Sequence, residues 1–354
     1  MLRLRLAVIA LVIAFGLLWT PVLKPAGQAA ILILDIYSES LVGSNVARLV
    51  TPEPRASQSR ERFAGLEMRV DWWRPGSGES HPGVLVVPGA SALGNDNEAL
   101  RGFAASMARA GYLVMLPEFP FLKEGRFDPA ATAQLDGSFA ALRARPETRD
   151  RATGAFGISV GGGLLLVAAG KEPAIAGAAF VSVLGAYYDM DTYLASVAGA
   201  QQLRAGGRLE PWTPSAEARE RLPSAAIEAV GAADRDAVRQ ALAGLTYEEA
   251  LRRIRALPPA ARAVFDALSP ETVWTGIRAP IFWIHDPADT YEPLAEAEAA
   301  AAAPRAGRMV LVVPRLVQHA VAETGEAKQQ GPLFVLGELW ALIAFTFEVL
   351  RLAG

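Results

Sequence analysis

The residues best suited to chemistry are the five from Gly157 to Gly161, which read Gly-Ile-Ser-Val-Gly. They follow an apolar stretch predicted to be a strand, residues 152–157, and precede a helix predicted over residues 161–169. A serine on a tight turn between strand and helix has its hydroxyl at the carboxyl edge of the sheet, and the two glycines let strand and helix approach closely. The helix N-terminus then points at a developing oxyanion. We therefore predict that Ser159 is a nucleophile.

A serine nucleophile needs a base, and the chain has only three histidines, His81, His285 and His319. His319 follows an apolar strand predicted over residues 308–313 and is the candidate general base. His285 ends the strand predicted over residues 280–284, where structural packing is the favoured interpretation. His81 precedes the first buried strand, on the edge away from Ser159, and is expected to be a solvent-exposed turn residue.

The acid that orients such a base should follow the strand that comes before it. The tetrapeptide Asp286-Pro287-Ala288-Asp289 directly follows the strand predicted over residues 280–284. The order Ser159, Asp289, His319 is the nucleophile–acid–base order of one large fold. The sequence therefore predicts a catalytic triad of these three residues.

Composition excludes several other classes of function. The 354 residues are 52% hydrophobic and 20% charged with a net charge of −3, which excludes a largely disordered chain and gives no electrostatic reason to expect a nucleic acid partner. Cysteine is absent, so disulfides, thiolate zinc sites and cysteine nucleophiles are excluded as well. Three histidines argue against a multi-histidine metal centre, and no metal or organic cofactor is expected.

The N-terminus has the pattern of a membrane-targeting segment. Arg3 and Arg5 precede an apolar stretch over residues 6–23, and a helix of that length rises about 27 Å, just enough for a bilayer core. We predict a transmembrane anchor over residues 1–25, with the catalytic domain on the extracytoplasmic side because the positive flank comes first. One alternative is a signal peptide cleaved among the small residues 26–30, which would release a secreted protein; another is a buried helix of a soluble protein. A second apolar run, residues 29–36, is too short to span and is expected to extend the anchor or lie in the interface.

Beyond residue 62, short apolar runs alternate with amphipathic stretches, the pattern of an α/β sheet protein. Residues 26–62 are predicted to be a membrane-proximal segment and linker, because residues 50–62 hold Pro and polar residues without an apolar period. Strands are predicted over residues 66–73, 83–87, 112–116, 152–157, 175–184, 280–284 and 308–313, and helices over residues 98–110, 130–143, 161–169, 292–303 and 333–350.

This alternation stops between residues 185 and 268, where no strand is predicted and Ala-rich charged stretches predict helices. An insertion of this kind between two sheet strands is most simply a helical cap, at about residues 186–270. The aromatic residues of this cap either line a substrate pocket or form the cap's own small core, and the second interpretation is favoured; they are Tyr187, Tyr188, Tyr193 and Trp212. The helix over residues 333–350 is expected to pack on the sheet, because Glu338 and Glu348 would be costly inside a bilayer.

Residues 63–354 resemble the α/β-hydrolase superfamily, and within it the dienelactone-hydrolase-like and related serine esterase or peptidase branches. Besides the Ser159 turn and His319, the resemblance rests on residues 84–90, 110–117 and 284–289. It implies an α/β-hydrolase fold with a mostly parallel central sheet and an inserted helical cap, which the predicted transmembrane helix would precede. It also implies Ser159 as nucleophile, His319 as base and Asp289 as acid, since related hydrolases commonly carry the acid three residues after a glycine and Asp286 stands in that glycine's place.

Three departures from the family pattern affect the expected chemistry. Pro88-Gly89 replaces the His-Gly often found at the oxyanion turn, so the expected oxyanion donors are the backbone N–H groups of Ala90 and Val160. Glu118 stands where an Asp is usual. True dienelactone hydrolases use a cysteine nucleophile, and because this chain has none that activity is not implied.

The sequence therefore predicts a membrane-anchored serine hydrolase that cleaves a small-molecule carboxylic ester, or less readily an amide or peptide bond, through an acyl-enzyme. The alternative is a catalytically silent binding or scaffold protein at the membrane that kept the fold. A haloalkane-dehalogenase-like enzyme is excluded, because it would need an Asp in place of Ser159. The natural substrate and the oligomeric state are not predicted.

Overall fold

The computed structural model describes residues 22–244, 246–318, 321–322 and 329–352. The strands of four or more residues are β1 Arg55–Phe63, β2 Leu66–Arg74, β3 Gly83–Val87, β4 Leu113–Pro117, β5 Thr153–Ile158, β6 Val181–Leu184, β7 Gln201–Arg204, β8 Arg208–Pro211, β9 Ile281–Ile284 and β10 Met309–Val312. Two-residue strands β11 Val317–Gln318 and β12 Val321–Ala322 form a small hairpin after them.

Eight strands form one sheet in the order β1-β2-β4-β3-β5-β6-β9-β10. The first two junctions, β1 to β2 and β2 to β4, are antiparallel, and all the others are parallel. The central strands β3, β4 and β5 are buried along their whole length, which is why they read as continuous apolar runs rather than alternating ones. The mostly parallel central sheet expected from the sequence is confirmed.

The α-helices longer than four residues are α1 Lys24–Val42, α2 Val46–Val50, α3 Glu98–Arg109, α4 Ala131–Ala144, α5 Ser159–Lys171, α6 Met190–Gly199, α7 Ala216–Ala229, α8 Arg235–Ala241, α9 Tyr247–Arg255, α10 Pro259–Leu268, α11 Leu294–Ala302 and α12 Pro332–Leu350. One face of the sheet packs against α4 and α5, and the cap helices continue that core. The other face packs against α1, α3 and α12.

The stretch predicted as a linker forms the edge strand β1, so that part of the prediction is wrong. All nine residues of β1 pair with β2, from Arg55 opposite Arg74 to Phe63 opposite Leu66. Most of its side chains are exposed, and only Phe63 is buried. An edge strand with both faces largely solvated is held by its backbone hydrogen bonds, so no apolar alternation marks it in the sequence.

The second apolar run, residues 29–36, is part of α1, and its packing is with the protein. Ala29, Leu32 and Ile33 are buried against the sheet and α12. Asp35 accepts a hydrogen bond from the Ser106 hydroxyl at 2.7 Å and forms a buried ion pair with Arg109 at 3.3 Å. These contacts fix α1 to α3, so the run is a structural helix of the fold. Of the anchor predicted over residues 1–25, residues 1–21 lie outside the described residues, and residues 24 and 25 begin α1.

The cap prediction needs one correction. Helices α6 to α10 occupy residues 190–268 as expected, but β7 and β8 form an antiparallel hairpin within the region where no strand was predicted. This hairpin carries polar and charged residues such as Gln201, Arg204 and Arg208, and its pairing is again through the backbone. Four-residue strands of this composition give too little apolar signal to be read from sequence.

The C-terminal helix α12 packs on α1 and on the sheet, as expected from its sequence. Phe345 contacts Phe282 of β9 edge-to-face, with ring centroids 5.7 Å apart. Glu348 pairs with Arg308 at 2.9 Å, and Glu338 accepts the Arg315 backbone N–H at 2.6 Å. Within the described residues, α12 is the one helix long and apolar enough to cross a membrane, and a third of its most apolar window is buried inside the protein.

Candidate active site

The turn at Ser159 has the strained geometry that the sequence predicts. Strand β5 ends at Ile158, and Ser159 opens α5 with φ +53°, a left-handed conformation that residues other than glycine rarely adopt. A Cβ on Gly161 would lie 2.0 Å from the Pro88 carbonyl oxygen, and one on Gly157 would lie 2.6 Å from Gly162 Cα. Both outer glycines of the motif are therefore required by close backbone approach.

The candidate oxyanion donors lie at the loops that meet this turn. Ala90 follows β3, and a Cβ on its neighbour Gly89 would lie 3.1 Å from Ser159 Cβ. The loop after β3 therefore runs close enough to the serine that a side chain at Gly89 would crowd it. Val160 is the second residue of α5, where backbone N–H groups are free of intrahelical acceptors. Ala90 and Val160 both line the cavity beside Ser159.

The Ser159 hydroxyl donates a hydrogen bond to Glu292 Oε1 at 2.7 Å. The Tyr193 hydroxyl of α6 donates to the same oxygen at 3.2 Å. Glu292 is only 1% exposed, so a buried carboxylate stands against the predicted nucleophile. Burial first, and the charge of Glu292 second, raise the pKa of Tyr193 well above its usual value. Sequence reasoning missed Glu292; its place three residues after Asp289, in the loop that follows β9, was the available signal.

The two aspartates after β9 both organise their own loop. Asp286 Oδ1 accepts the Ala288 backbone N–H at 2.7 Å and so caps the turn. Asp289 Oδ1 accepts the N–H groups of Tyr291 at 2.7 Å and Glu292 at 3.1 Å. Each aspartate is 3% exposed. Backbone hydrogen bonds to both carboxylates therefore fix the conformation of the loop, and this conformation positions Glu292.

The aspartates differ in what surrounds them. The Trp212 indole of the cap donates to the Asp289 carbonyl at 2.8 Å, and the Asp289 charge contributes to the raised pKa of Tyr193. The Asp286 charge, after burial, contributes to the raised pKa of Tyr37 on α1. Asp289 therefore lies on the side of the cap and of Tyr193, which also contacts Glu292, and Asp286 lies on the side of α1.

The predictions for the three histidines compare differently with the structure. His319, the predicted base, lies outside the described residues. His285 is fully buried, as favoured for a packing role: it accepts the Trp283 indole N–H at Nδ1 (3.3 Å), and its Nε2 therefore donates to the Glu292 carbonyl at 2.9 Å. His81 is 8% exposed, so the expectation of a solvent-exposed turn residue is wrong. Its ring folds back onto the Gly78 carbonyl at 3.2 Å, and burial lowers its pKa.

Glu118, at the position where related proteins usually carry Asp, stabilises a neighbouring turn. Its carboxylate accepts the Asn95 backbone N–H at 3.1 Å and pairs with Lys123 at 3.4 Å. The first contact holds the loop after β3, which carries Ala90, against the loop after β4, and the second lies within the loop after β4. The departure from the family pattern is therefore accommodated as a structural contact.

A cavity of about 1140 Å³ opens beside Ser159. It is bounded by the sheet edge, the cap and the helices of the opposite layer, and its apolar lining includes Leu32, Ile33 and Ile36 of α1, Leu222 and Ala225 of α7, and Leu342, Phe345 and Val349 of α12. Of the four cap aromatics considered from sequence, Tyr193 lines the cavity, whereas Tyr187, Tyr188 and Trp212 are buried in the core cluster. A large apolar cavity with a few polar groups at one point is the usual form of a small-molecule site.

Among the described residues, no group of three or more His, Asp or Glu is placed to hold a metal ion.

No family model matches the sequence, and no curated protein matches it. Among solved structures, the chain is similar to a 2,6-dihydroxy-pseudo-oxynicotine hydrolase, with a TM-score of 0.50 and 18% identity, covering 84% of this chain and 68% of that one. It is also similar to an acylaminoacyl peptidase of Pyrococcus horikoshii (0.48, 13%), where it covers 86% of this chain and 41% of that one. A third is a dienelactone hydrolase of Anabaena variabilis (0.44, 17%), with coverages of 84% and 96%.

The fold is settled by these observations taken together. The first similarity, the eight-stranded order and the strained serine turn after β5 are those of the α/β-hydrolase fold. At 18% identity the similarity concerns architecture, and the chemistry has to be argued from this chain's own residues.

Proposed function

We propose that this α/β-hydrolase-fold protein is a membrane-anchored serine hydrolase that cleaves a carboxylic ester, or less readily an amide, of a small molecule. The observation that carries the proposal is Ser159, a residue held at φ +53° where a large apolar cavity meets the sheet edge. Strain of this kind persists only where the surrounding structure imposes it, and it is concentrated at functional sites.

In the proposed reaction Ser159 attacks the substrate carbonyl, and His319 takes the hydroxyl proton. Asp289 orients the imidazole, and the backbone N–H groups of Ala90 and Val160 receive the oxyanion. The proton then passes to the leaving group, and water releases the acyl group by the same steps in reverse order. No metal or organic cofactor takes part in this scheme.

Glu292 belongs to the resting state in this scheme. The Ser159 hydroxyl points at Glu292 Oε1 in the described geometry, so it must turn toward His319 before the proton is transferred. The carboxylate holds the hydroxyl in the cavity, and the Tyr193 hydroxyl helps to fix the carboxylate. Glu292 is therefore a holding group for the serine, and His319 is the base.

The alternative is a silent binding protein with the same fold. The glycine-enforced turn and the hydroxyl placed in a cavity favour the enzyme, because a scaffold needs neither. The test is a screen of purified full-length protein in detergent against p-nitrophenyl esters of graded acyl length. Hydrolysis by the wild type that is lost in Ser159→Ala is expected, whereas equal rates for both would reject the proposal.

The whole chain is required for this screen. Residues 24–62 contain α1 and β1, which pack on α3 and pair with β2, so a truncation that removed them would expose the core. Removing α1 would also take away Ala29 and Leu32, which share a core cluster with Phe345 and Val349 of α12.

The anchor and its orientation are part of the proposal. Arg3 and Arg5 before the apolar residues 6–19 support an N-terminus kept in the cytoplasm with the catalytic domain on the other side. A C-terminal alkaline phosphatase fusion should be active, since that reporter works only outside the cytoplasm. If a C-terminal reporter that works only in the cytoplasm is active instead, this orientation is rejected.

A further inference from the structure

The exposed apolar side chains of this protein are concentrated on neighbouring helices. Of the eleven exposed large hydrophobic residues among those described, eight lie on α1, α2 and α12 or just before α1: Val22, Leu34, Val46, Leu49, Val50, Leu333, Leu336 and Trp340. Leu333 is 83% exposed, Leu49 80% and Trp340 71%. Scattered apolar residues need no explanation, but a concentration of this kind marks an interaction surface.

The positions of these helices direct the residues to one side of the molecule. Helices α1 and α12 lie side by side on the same face of the sheet, and α2 packs on α1. Along α12, Val335, Leu342 and Val349 are buried toward the fold, whereas Leu333, Leu336 and Trp340 form a stripe at helical spacing on the outer surface. The outer surfaces of helices that cover one face of a sheet point away from it together. We call these eight residues the outer patch.

The chain that leads into the outer patch identifies its occupant. Residues 6–19 are apolar without a charge, and they precede Val22, a patch member, and Lys24, where α1 begins. If this segment is the proposed anchor, α1 begins within a few residues of the bilayer. A Trp among leucines and a Lys at a helix start are side chains suited to the membrane–water interface.

We propose that the outer patch docks on the surface of the lipid bilayer that holds the proposed N-terminal anchor. The proposal rests on the anchoring stated under Proposed function and adds the orientation of the domain. The apolar side chains of α2 and α12 enter the interface, and α1 lies between them as the connection to the anchor. Since α1 and α12 also form walls of the cavity beside Ser159, docking holds that cavity next to the membrane.

The test uses Trp340 as its own reporter. Full-length protein is reconstituted into phosphatidylcholine vesicles with ordinary or brominated acyl chains, because bromine quenches tryptophan fluorescence on contact. The anchor's Trp19 and the buried indoles are present in all variants, so the quenching specific to Trp340 is the difference between wild type and Trp340→Phe. We expect brominated lipid to quench the wild type more than Trp340→Phe, by roughly the fluorescence that one exposed tryptophan contributes.

A matched control uses an exposed leucine remote from the outer patch. Leu203, on the β7–β8 hairpin of the cap, is 39% exposed. In the Trp340→Phe background, Leu203→Trp should show no added quenching by brominated lipid. Added quenching in this variant as large as the share specific to Trp340 would mean unspecific contact and would overturn the proposal.

The remaining outcomes separate docking from anchoring. Protein that resists alkaline extraction from the vesicles but shows no Trp340-specific quenching overturns the docking alone. Protein that is extracted by alkali overturns the anchoring and the docking with it. A Trp340 that is shielded instead by a second copy, seen as a cross-linked dimer through Leu336→Cys without quenching by brominated lipid, also overturns the docking.

Discussion

The two sides of the candidate site are built by different means. The serine side is built from the backbone: residues 157–163 and the loop after β3 fix Ser159 by close backbone contacts such as Gly161 against Pro88. The carboxylate side is assembled from distant parts of the chain, since Glu292 meets Ser159 across 133 residues and Asp289 is held by Trp212 of the cap. Activity should therefore be lost when an atom is added on the serine side. On the carboxylate side, the loss of activity should depend on which carboxylate loses its charge.

The largest effect is expected where charge orients the base. Asp289→Asn should lower kcat by about 10⁴-fold, because the wrong histidine tautomer is then favoured, as in serine triads generally. Asp286→Asn should lower kcat by less than about tenfold, because its carboxylate caps the turn at Ala288 and an amide oxygen can still accept that bond. Measured kcat values for an activated ester decide between them. A crippled Asp286→Asn beside a nearly normal Asp289→Asn would reverse the assignment.

The serine side can be broken by a single methyl group. Gly161→Ala would place Cβ 2.0 Å from the Pro88 carbonyl oxygen, so the turn or β3 must shift. We expect a loss of about 3 kcal/mol in the free energy of unfolding and at least a hundredfold loss of turnover, measured by urea denaturation and ester hydrolysis.

The control for this variant is Gly231→Ala, at a glycine whose added Cβ would meet nothing within 4 Å. It should leave both stability and turnover close to the wild type. A Gly161→Ala enzyme with wild-type stability would show that the turn is looser than its contacts indicate.

Glu292 gives a smaller and more discriminating effect. Glu292→Gln keeps an oxygen that can accept the Ser159 hydroxyl and removes the charge, so kcat should change by no more than about tenfold if His319 is the base. The measurement is kcat as a function of pH for this variant and for Tyr193→Phe. A loss as large as that of Asp289→Asn would make Glu292 the proton acceptor for Ser159 and would remove that role from His319.

The extent to which sequence predicted these two sides follows from how each is built. The serine turn, the strands around it and the cap carry signals within a short stretch of chain, such as the glycines at 157 and 161 or a long break in the apolar pattern. The contact between Glu292 and Ser159 has no such signal, because it depends on how the loop after β9 folds against the cap. Strand β1 was missed because its side chains are mostly exposed and carry no apolar alternation. The packing of α1 was missed because Asp35 meets Ser106 across 71 residues.

The smallest effect is expected for Glu296, on the helix that follows the loop carrying Glu292. Glu296 of α11 is buried and accepts the Tyr188 and Asp189 backbone N–H groups at 2.9 Å each. Burial, followed by the Asp189 charge, raises its pKa to about 7. An unfolded Glu titrates at about 4.3. Between that pH and about 7, Glu296 keeps its proton in the native state and has lost it in the unfolded chain. Stability contributed by this group is therefore present at pH 4 and falls as the pH rises through 7.

Thermal melts at pH 5 and pH 8 test this sign. Glu296→Gln, which is always neutral, should show a smaller fall in Tm between the two values than the wild type. The control is Glu298→Gln on the same helix, because pairing with Arg204 lowers the pKa of Glu298 and its contribution grows with pH. That variant should keep the wild-type fall or show a slightly steeper one. A Glu296→Gln protein with the full wild-type fall would contradict the raised pKa.

The central claim is that Ser159 is a nucleophile, and the most direct measurement is covalent labelling of the full-length protein with a fluorophosphonate. We expect one phosphonyl group per chain by intact mass, on the peptide that contains Ser159, and no label on Ser159→Ala. Asp289→Asn should be labelled much more slowly, and Asp286→Asn at nearly the wild-type rate. A wild-type protein that takes up no label, or a Ser159→Ala protein labelled as fast as the wild type, would contradict the claim.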